Sequence, residues 1–325
     1  MQWFYGPTWG RTLKVCEKLL PHQRRAGCAT QADLRNRQLE LIEVLRRNVV
    51  HPAVAEVHVL VGEAEPILRF LRRLPWYERL GCKLNLVATG TRPRFRDYVE
   101  QVAGPLRGRT VVFTNQDVLL SEGEWASLPA ALPPRSAFFL SRYHSRYQYD
   151  VQYSTAAGVS EGLFNATRSF SLQLLGRGKR VCDMTSNRFG MWRRSLCSPA
   201  NFGSYDAYVL RVERPLSEAE LELFNYPQNA WGGENLFLFL VTHALGMTAS
   251  NPCLSLKATH VHCELPTEFG VLKVGDRRLG KREIIEKALS RLRALGRASS
   301  ATHQTIGAMA LNVTRLPRLA GAAQH

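Results

Sequence analysis

Hydrophobic and polar positions along the chain fall into alternating blocks whose spacing predicts helices and strands. Residues 33–48 place leucine, isoleucine and valine at helical spacing among arginine, glutamine and glutamate, which predicts an amphipathic helix. Similar patterns predict further helices over 64–74, 94–103, 235–245 and 281–295. Short apolar runs predict strands over 57–61, 83–87, 136–142 and 205–211, and at the start of the segment Val111–Val118. This alternation predicts an α/β fold.

The segment Val111–Val118 is an apolar run that ends in a polar Asn-x-Asp step and then turns apolar again. Its β-branched and aromatic residues predict a strand buried on both faces, which is typical of parallel sheets covered by helices. A buried carboxylate needs a cation or hydrogen-bond donors, so we expect Asp117 to have a partner. Ligands bind at the carboxyl ends of strands in open α/β sheets, which favours a site here. Alternatively, Asn115 and Asp117 only form the turn that follows the strand.

Other predicted strands also have polar or charged ends, namely Glu63, Arg142 and, at the start of its strand, Asp206. Convergence of these ends with Asn115 and Asp117 would form a cleft that carries both signs of charge. Carboxylates with a basic neighbour suit a metal-bound diphosphate, because a hard divalent cation takes oxygen ligands and bridges phosphate oxygens to the protein. Arg142 can then bind phosphate through its forked guanidinium group.

Two further segments hold candidate functional residues. Glu234 follows two glycines and opens an apolar helix, so it suits either a general base in a cleft or a helix cap that interacts with the helix dipole. His260 and His262 point to the same face if they lie on a strand, and imidazole is a common ligand of divalent metals. A structural or surface role is the alternative for this His-x-His pair.

Length and composition narrow the class of protein. A chain of 325 residues with 45% hydrophobic content can bury a sizeable core. We find neither a signal-peptide pattern nor an apolar run long enough to span a membrane, so we expect a protein that is cytoplasmic or peripheral to a membrane. Seven cysteines without a CxxC spacing argue against structural zinc and favour a reducing compartment, although two Asn-x-Ser/Thr sequons keep a lumenal setting open.

The formal net charge of +16 is concentrated towards the end of the chain. Residues 273–325 hold 11 Lys or Arg against 3 acids, so this segment carries half of the net charge. Its predicted helix, 281–295, has an apolar face and a basic face, and can lie on an anionic membrane, bind polyphosphate, or pack on the domain as a solvated helix. We expect the chain beyond Gly296 to be loosely ordered.

A series of short motifs occurs in a characteristic order: Thr114–Val118, Phe139–Tyr143, Gly203–Val209, Gly232–Asn235, Asn251–Pro252 and Thr259–His262. Together they resemble a group of GT-A-type glycosyltransferase-like proteins of plants, algae, bacteria and large viruses. The resemblance covers residues 33–264 and implies a Rossmann-like GT-A fold with a mixed, mostly parallel central sheet. It further implies an N-terminal segment over 1–32 with a candidate first strand and an insertion, a catalytic domain over 33–270, and a basic helical extension over 271–325.

The resemblance also implies the roles of individual residues. Asn115-x-Asp117 takes the place of an Asp-x-Asp motif, with Asp117 as its metal-binding carboxylate and an asparagine where the family has an acid. His262 or His260 supplies the C-terminal metal ligand. Glu234, which stands where an aspartate is usual, is similar to the acid that activates the acceptor hydroxyl.

Asp206 falls at the family's Gln-Asp position and is the second candidate catalytic acid.

The sequence therefore predicts a metal-dependent glycosyltransferase that uses Mn²⁺ or Mg²⁺ and moves a sugar from a nucleotide-diphosphate sugar to a glycan, protein or lipid acceptor. Peripheral membrane contact through the basic helix is compatible with this function, and nucleic acid is not an expected partner. The alternative is a non-catalytic basic protein that binds nucleic acid or an anionic membrane surface.

Overall fold

The computed structural model describes residues 31–144, 146–149, 169–174, 178–183, 197, 205–228, 232–261, 281–297, 306, 311 and 314–316. Helices and mixed sheets alternate in this part of the chain, which confirms the α/β class. The predicted first strand near Trp3, the insertion over 14–30 and the candidate ligand His262 lie outside the described residues.

Eight helices and twelve strands make up the described part of the chain, with short 3-10 turns at Gly81–Lys83 and Trp125–Ser127. In chain order they are α1 (Gln31–Val50), β1 (Val57–Val61), α2 (Ala64–Leu71), α3 (Tyr77–Leu80), β2 (Leu84–Ala88), α4 (Phe95–Ala103), β3 (Val111–Thr114), β4 (Val118–Gly123), α5 (Leu128–Ala131), β5 (Ser136–Leu140), β6 (Arg142–His144), β7 (Arg146–Tyr149), β8 (Ser169–Leu174), β9 (Gly178–Asp183), β10 (Ala207–Leu210), α6 (Glu218–Leu223), α7 (Gly233–His243), β11 (Thr248–Ser250), β12 (Leu256–His260) and α8 (Lys281–Ala294).

The strands form four described sheets. The largest has the order β11-β5-β10-β3, a second has the order β4-β12-β6, and β1 pairs with β2 in a third, while β7, β9 and β8 form the fourth. Strand β10 runs antiparallel to both of its neighbours, and five of the eight described strand pairings are antiparallel. The expectation of a mostly parallel sheet is therefore wrong for the described residues.

Strand β10 is covered on both faces, as is its neighbour β5, whereas β3 is not. Successive side chains of a strand point to opposite faces. Accordingly, Tyr208 and Leu210 belong to one buried cluster, while Ala207 and Val209 belong to another. Strand β3 is at the end of the described strand order, and only Phe113 among its residues is fully buried. The predicted burial of β3 on both faces was wrong because an antiparallel strand can hold a β-branched run with one face only partly covered.

The largest core lies between the four-stranded sheet and helices α4, α6, α7 and α8. The ring of Phe237 on α7 stacks on that of Phe95 with 4.9 Å between centroids and meets Phe113 edge-on at 5.1 Å. Helix α8 adds Ile285 and Leu292, each 1% exposed, to the same core. The apolar face of α8 is therefore buried within the protein, while Lys287 and Arg293 of the same helix are exposed.

None of the helices in the described ranges combines the length and apolar character needed to cross a membrane.

Candidate functional site

The predicted site residues come together where the chain passes from the four-stranded sheet to the three-stranded sheet. Residues 115–117 connect β3 to β4, and residue 141 connects β5 to β6. Strand β10 begins between these two connections, because Ala207 pairs with both Thr114 and Leu140. Strand β12 ends beside them, with His260 opposite Val118. Polar side chains that follow or precede these four strands therefore share one small volume.

Asp206 is at the centre of this group. It is 1% exposed, and its Oδ2 accepts a hydrogen bond from Nη1 of Arg142 at 2.6 Å. Its Oδ1 accepts one from Nδ2 of Asn115 at 3.2 Å. A buried carboxylate costs free energy unless charged or polar partners meet it, and here both carboxylate oxygens are bonded.

The two members of this ion pair favour each other's charged form. Burial raises the pKa of Asp206, but the charges of Arg142 and His260 outweigh it and hold that pKa below its usual value. Burial likewise lowers the pKa of Arg142, while the carboxylates of Asp206, Glu234 and Asp117 raise it above the ordinary value. Asp117, Glu234 and His260 thus lie close enough for their charges to act on Arg142, on Asp206 or on both.

Asp117 has the partner that its buried position requires. Its Oδ2 lies 3.0 Å from Nε2 of His260, and the side chains are 13% and 9% exposed respectively. The backbones of the same two segments are also hydrogen-bonded, since the Val261 amide donates to the Asp117 carbonyl at 2.7 Å.

Between Asn115 and Asp117, Oε1 of Gln116 is shielded from solvent and has no hydrogen-bond partner among the described residues.

Glu234 reaches the same group from the start of α7. Gly232 precedes the helix with φ 78°, a left-handed conformation that glycine adopts at no steric cost and that allows the chain to turn sharply before Glu234. The carboxylate then accepts a hydrogen bond from the backbone amide of Tyr205 at 2.9 Å. The sequence left two roles open for Glu234, a helix cap or a residue of a cleft. In the structure its carboxylate bonds the segment that carries Asp206.

Two supports of the site escaped the sequence analysis. Asn251 is fully buried, accepts a hydrogen bond from the Ser141 amide at 3.1 Å and donates to the Ser141 hydroxyl at 2.8 Å, which fixes the residue before Arg142. Tyr205 accepts a hydrogen bond through its hydroxyl from the Leu311 amide at 2.8 Å. The Asn251-Pro252 motif marked the position of the first residue without indicating its contact, and no local pattern indicated the second contact.

A disulfide joins Cys197 to Cys253, three residues before β12. The hydroxyl of Tyr143, on β6, donates to the Cys253 carbonyl at 2.9 Å. The cysteine count had favoured a reducing compartment, whereas disulfides are typical of oxidising ones. Sequence reasoning missed this pair because its members are 56 residues apart.

Glu63 does not join the other predicted residues. It is exposed, it lies at the end of β1 in the separate two-stranded sheet, and its side chain makes no capping hydrogen bond to α2. The described residues bring together Asn115, Asp117, Arg142, Asp206, Glu234 and His260, which we call the strand-end cluster.

The structure brings together only some of the predicted metal ligands. Asp117 and His260 present one oxygen and one nitrogen donor side by side, but the described part of the chain contains no group of three or more His, Cys, Asp or Glu side chains arranged to hold an ion. His262, the alternative to His260 as the C-terminal ligand that the resemblance implies, lies outside the described residues.

No protein-family model, curated protein or solved structure matches the chain. The GT-A resemblance therefore stays a prediction that rests on the order of the motifs.

Proposed function

We propose that the strand-end cluster is the active site of a glycosyltransferase that uses a nucleotide-diphosphate sugar. One observation supports this proposal above all. Five ionisable side chains from separate segments of the sequence come together here: Asp117, Arg142, Asp206, Glu234 and His260. Each of them forms an ion pair with another member or shifts the pKa of another member. The pKa of Arg142 is raised and that of Asp206 is lowered, and shifted pKa values of this kind are common at functional sites.

The charge balance of the cluster favours a cation. Three carboxylates stand against one guanidinium and one imidazole, so these five groups are net negative whether or not His260 is protonated. Asp117 and His260 offer donor types that Mn²⁺ accepts in proteins. A bound divalent ion would offset the charge of the donor diphosphate.

Arg142 has a double role in this proposal. A guanidinium group combines a fixed positive charge with five N–H donors, a combination that suits a phosphate oxygen as well as the Asp206 carboxylate. Asp206 acts as a positioning residue, because its carboxylate fixes the plane of the guanidinium group. This differs from the catalytic role that the resemblance implied for Asp206, and it follows from its burial and its two hydrogen bonds.

Glu234 is the proposed general base. Glu234 is only half-buried, so an acceptor hydroxyl can approach it. Its negative charge contributes to the raised pKa of Arg142. In the transfer the acceptor oxygen bonds to the anomeric carbon and loses its proton to Glu234. The nucleoside diphosphate leaves with the electron pair of the broken carbon–oxygen bond.

Thermal unfolding in the presence of UDP and GDP sugars, with and without Mn²⁺, tests the proposal, and a CMP sugar, which has a single phosphate, serves as the comparison donor. A donor that binds only the folded protein at about 100 times its Kd adds about 2.7 kcal/mol to the free energy of unfolding. We expect a rise in Tm with one donor class that needs Mn²⁺ and that is lost in Asp117→Asn and His260→Gln. Glu63→Gln is the matched control, since Glu63 lies outside the cluster, and should keep the full rise.

A rise of equal size in all three variants would remove Asp117 and His260 from donor binding. No rise with any donor, together with a salt-dependent shift on addition of DNA or anionic vesicles, would favour the non-catalytic alternative.

A further inference from the structure

The end of the chain contacts residues that support the strand-end cluster. Of residues 306–316, which we call the C-terminal segment, the structure describes Ile306, Leu311 and 314–316. Ile306 is fully buried in the largest core, and Leu316 is 5% exposed in the apolar cluster on the opposite face of β10. The expectation of a loosely ordered chain beyond Gly296 therefore does not hold for these two residues.

Backbone hydrogen bonds hold the C-terminal segment at two points after Leu311. The Thr314 amide donates to the carbonyl of Asn251 at 2.8 Å. The Leu316 amide donates to the hydroxyl of Ser255 at 3.1 Å. Both acceptor residues are buried. Since the segment is also fixed in the core before Leu311, its backbone is held on both sides of that residue.

Leu311 bonds Tyr205 between these anchor points. Its amide donates to the Tyr205 hydroxyl at 2.8 Å, and Tyr205 is fully buried. The Tyr205 ring also meets the ring of Phe139 edge-on, with 5.6 Å between centroids. A hydrogen bond to a buried hydroxyl is costly to break without a replacement, so the position of the ring depends on that of the C-terminal segment.

Tyr205 connects the C-terminal segment to two members of the cluster. Its backbone amide donates to the carboxylate of Glu234 at 2.9 Å, and Asp206 is the next residue of the chain. The hydroxyl of Tyr205 thus bonds Leu311, while its backbone bonds Glu234. A displacement of the Tyr205 ring would therefore move the donor that holds Glu234.

We propose that the C-terminal segment positions Glu234 for catalysis, with Tyr205 as the positioning residue that connects Leu311 to Glu234. The inference rests on the proposed function for its effect on sugar transfer, whereas the hydrogen bonds themselves need no ligand. A general base has to lie within hydrogen-bonding distance of the proton that it removes. A misplacement of about 1 Å lowers a rate by as much as about 100-fold, so the support of Glu234 affects turnover.

Replacement of the Tyr205 hydroxyl in the full chain tests this role. Tyr205→Phe keeps the ring and removes the acceptor of the Leu311 amide. Ser255→Ala is the matched control, because it also removes a buried hydroxyl that accepts from an amide of the C-terminal segment. The described hydrogen bonds of Ser255 reach no member of the cluster. The two variants should therefore have similar free energies of unfolding but differ in the support of Glu234.

Amide hydrogen exchange gives a readout that needs no donor. The reporting amide is that of residue 205, which donates to Glu234. Amides of β1, which belongs to a separate sheet, correct for a change in global stability. After this correction we expect the residue-205 amide to exchange about five- to tenfold faster in Tyr205→Phe than in Ser255→Ala, the change expected for the loss of one supporting hydrogen bond.

Turnover gives the second readout once a donor is found. Tyr205→Phe should lower kcat at least about tenfold relative to Ser255→Ala. The KM for the donor should change little, because Glu234 acts on the acceptor. Faster exchange at residue 205 in a protein that binds no donor would uphold the positioning of Glu234 and refute only the proposed function. Equal corrected exchange at residue 205 in the two variants, or equal kcat, would overturn the inference.

Discussion

Replacement of Asp206 by asparagine tests whether the ion pair between Asp206 and Arg142 stabilises the fold as a buried pair or contributes as little as an exposed one. The substitution keeps the shape of the side chain but leaves the Arg142 guanidinium group without its buried counter-charge. Removal of one member of a buried pair typically costs 3–5 kcal/mol, since the remaining charge stays desolvated. The Arg142 side chain is 21% exposed and can relax towards water, so we expect a loss of about 3 kcal/mol in the free energy of unfolding.

Urea denaturation of the wild type and of Asp206→Asn measures this loss. Glu213→Gln is the matched control. Glu213 pairs at 3.1 Å with Arg211, just beyond the other end of β10, but its side chain is 64% exposed. Exposed pairs contribute about 0–1 kcal/mol, so this variant should unfold at nearly the wild-type urea concentration.

The pH dependence gives an independent check on the same prediction. The pKa of Asp206 is lowered in the folded protein, so its contribution to stability is present above the unfolded pKa of about 4 and is lost as the pH falls through the folded value. The gap between wild type and Asp206→Asn should therefore be constant near neutral pH and should narrow in acid. A loss below about 1 kcal/mol at neutral pH, or a gap that does not narrow in acid, would refute the buried pair.

Three further predictions address other parts of the structure. Joint replacement of Cys197 and Cys253 by serine should lower the free energy of unfolding by about 4 kcal/mol, because the disulfide closes a 56-residue separation; an unchanged denaturation midpoint would mean that the pair does not form. Leu292→Ala on α8 should cost about 2–5 kcal/mol in the same assay, and a loss as small as that of a surface substitution would show that the helix lies outside the core. Glu234→Gln should lower turnover by roughly two to four orders of magnitude with donor affinity little changed, once a donor is found, and near-normal turnover would exclude Glu234 as the base.

Elements with strong local periodicity were predictable from the sequence. The helix predicted over 33–48 is observed as Gln31–Val50, and the strand predicted over 57–61 is observed with the same bounds. Sheet order was not predictable in this way. The apolar run favoured a parallel sheet, but a run of four residues is too short to fix the direction of its neighbour, and the partner β10 returns in the opposite direction.

The same distinction applies to the candidate site. Polar residues at five strand-end positions were predicted to converge, and four of them (Asn115, Asp117, Arg142 and Asp206) do lie together because their strands meet at one junction between sheets. Glu63 has the same local signature, but its strand belongs to another sheet. The supports of the cluster join residues 110 positions apart, as for Ser141 and Asn251, or 106 positions apart, as for Tyr205 and Leu311. Contacts over such separations leave no trace in local periodicity.

The geometry of the cluster gives a physical reason for an asparagine rather than an acid at position 115. The resemblance places an acid there, and an acid would bring a second carboxylate to within hydrogen-bonding distance of the buried Oδ1 of Asp206. Two carboxylates at that distance disfavour each other's ionisation, and a single guanidinium from Arg142 would have to offset both. The amide of Asn115 instead donates to Asp206, so Asp206 stays ionised and keeps Arg142 in place. The amide at position 115 is therefore matched to the Asp206 carboxylate just before β10, and the proposed function leaves metal binding to Asp117, which lies beside His260.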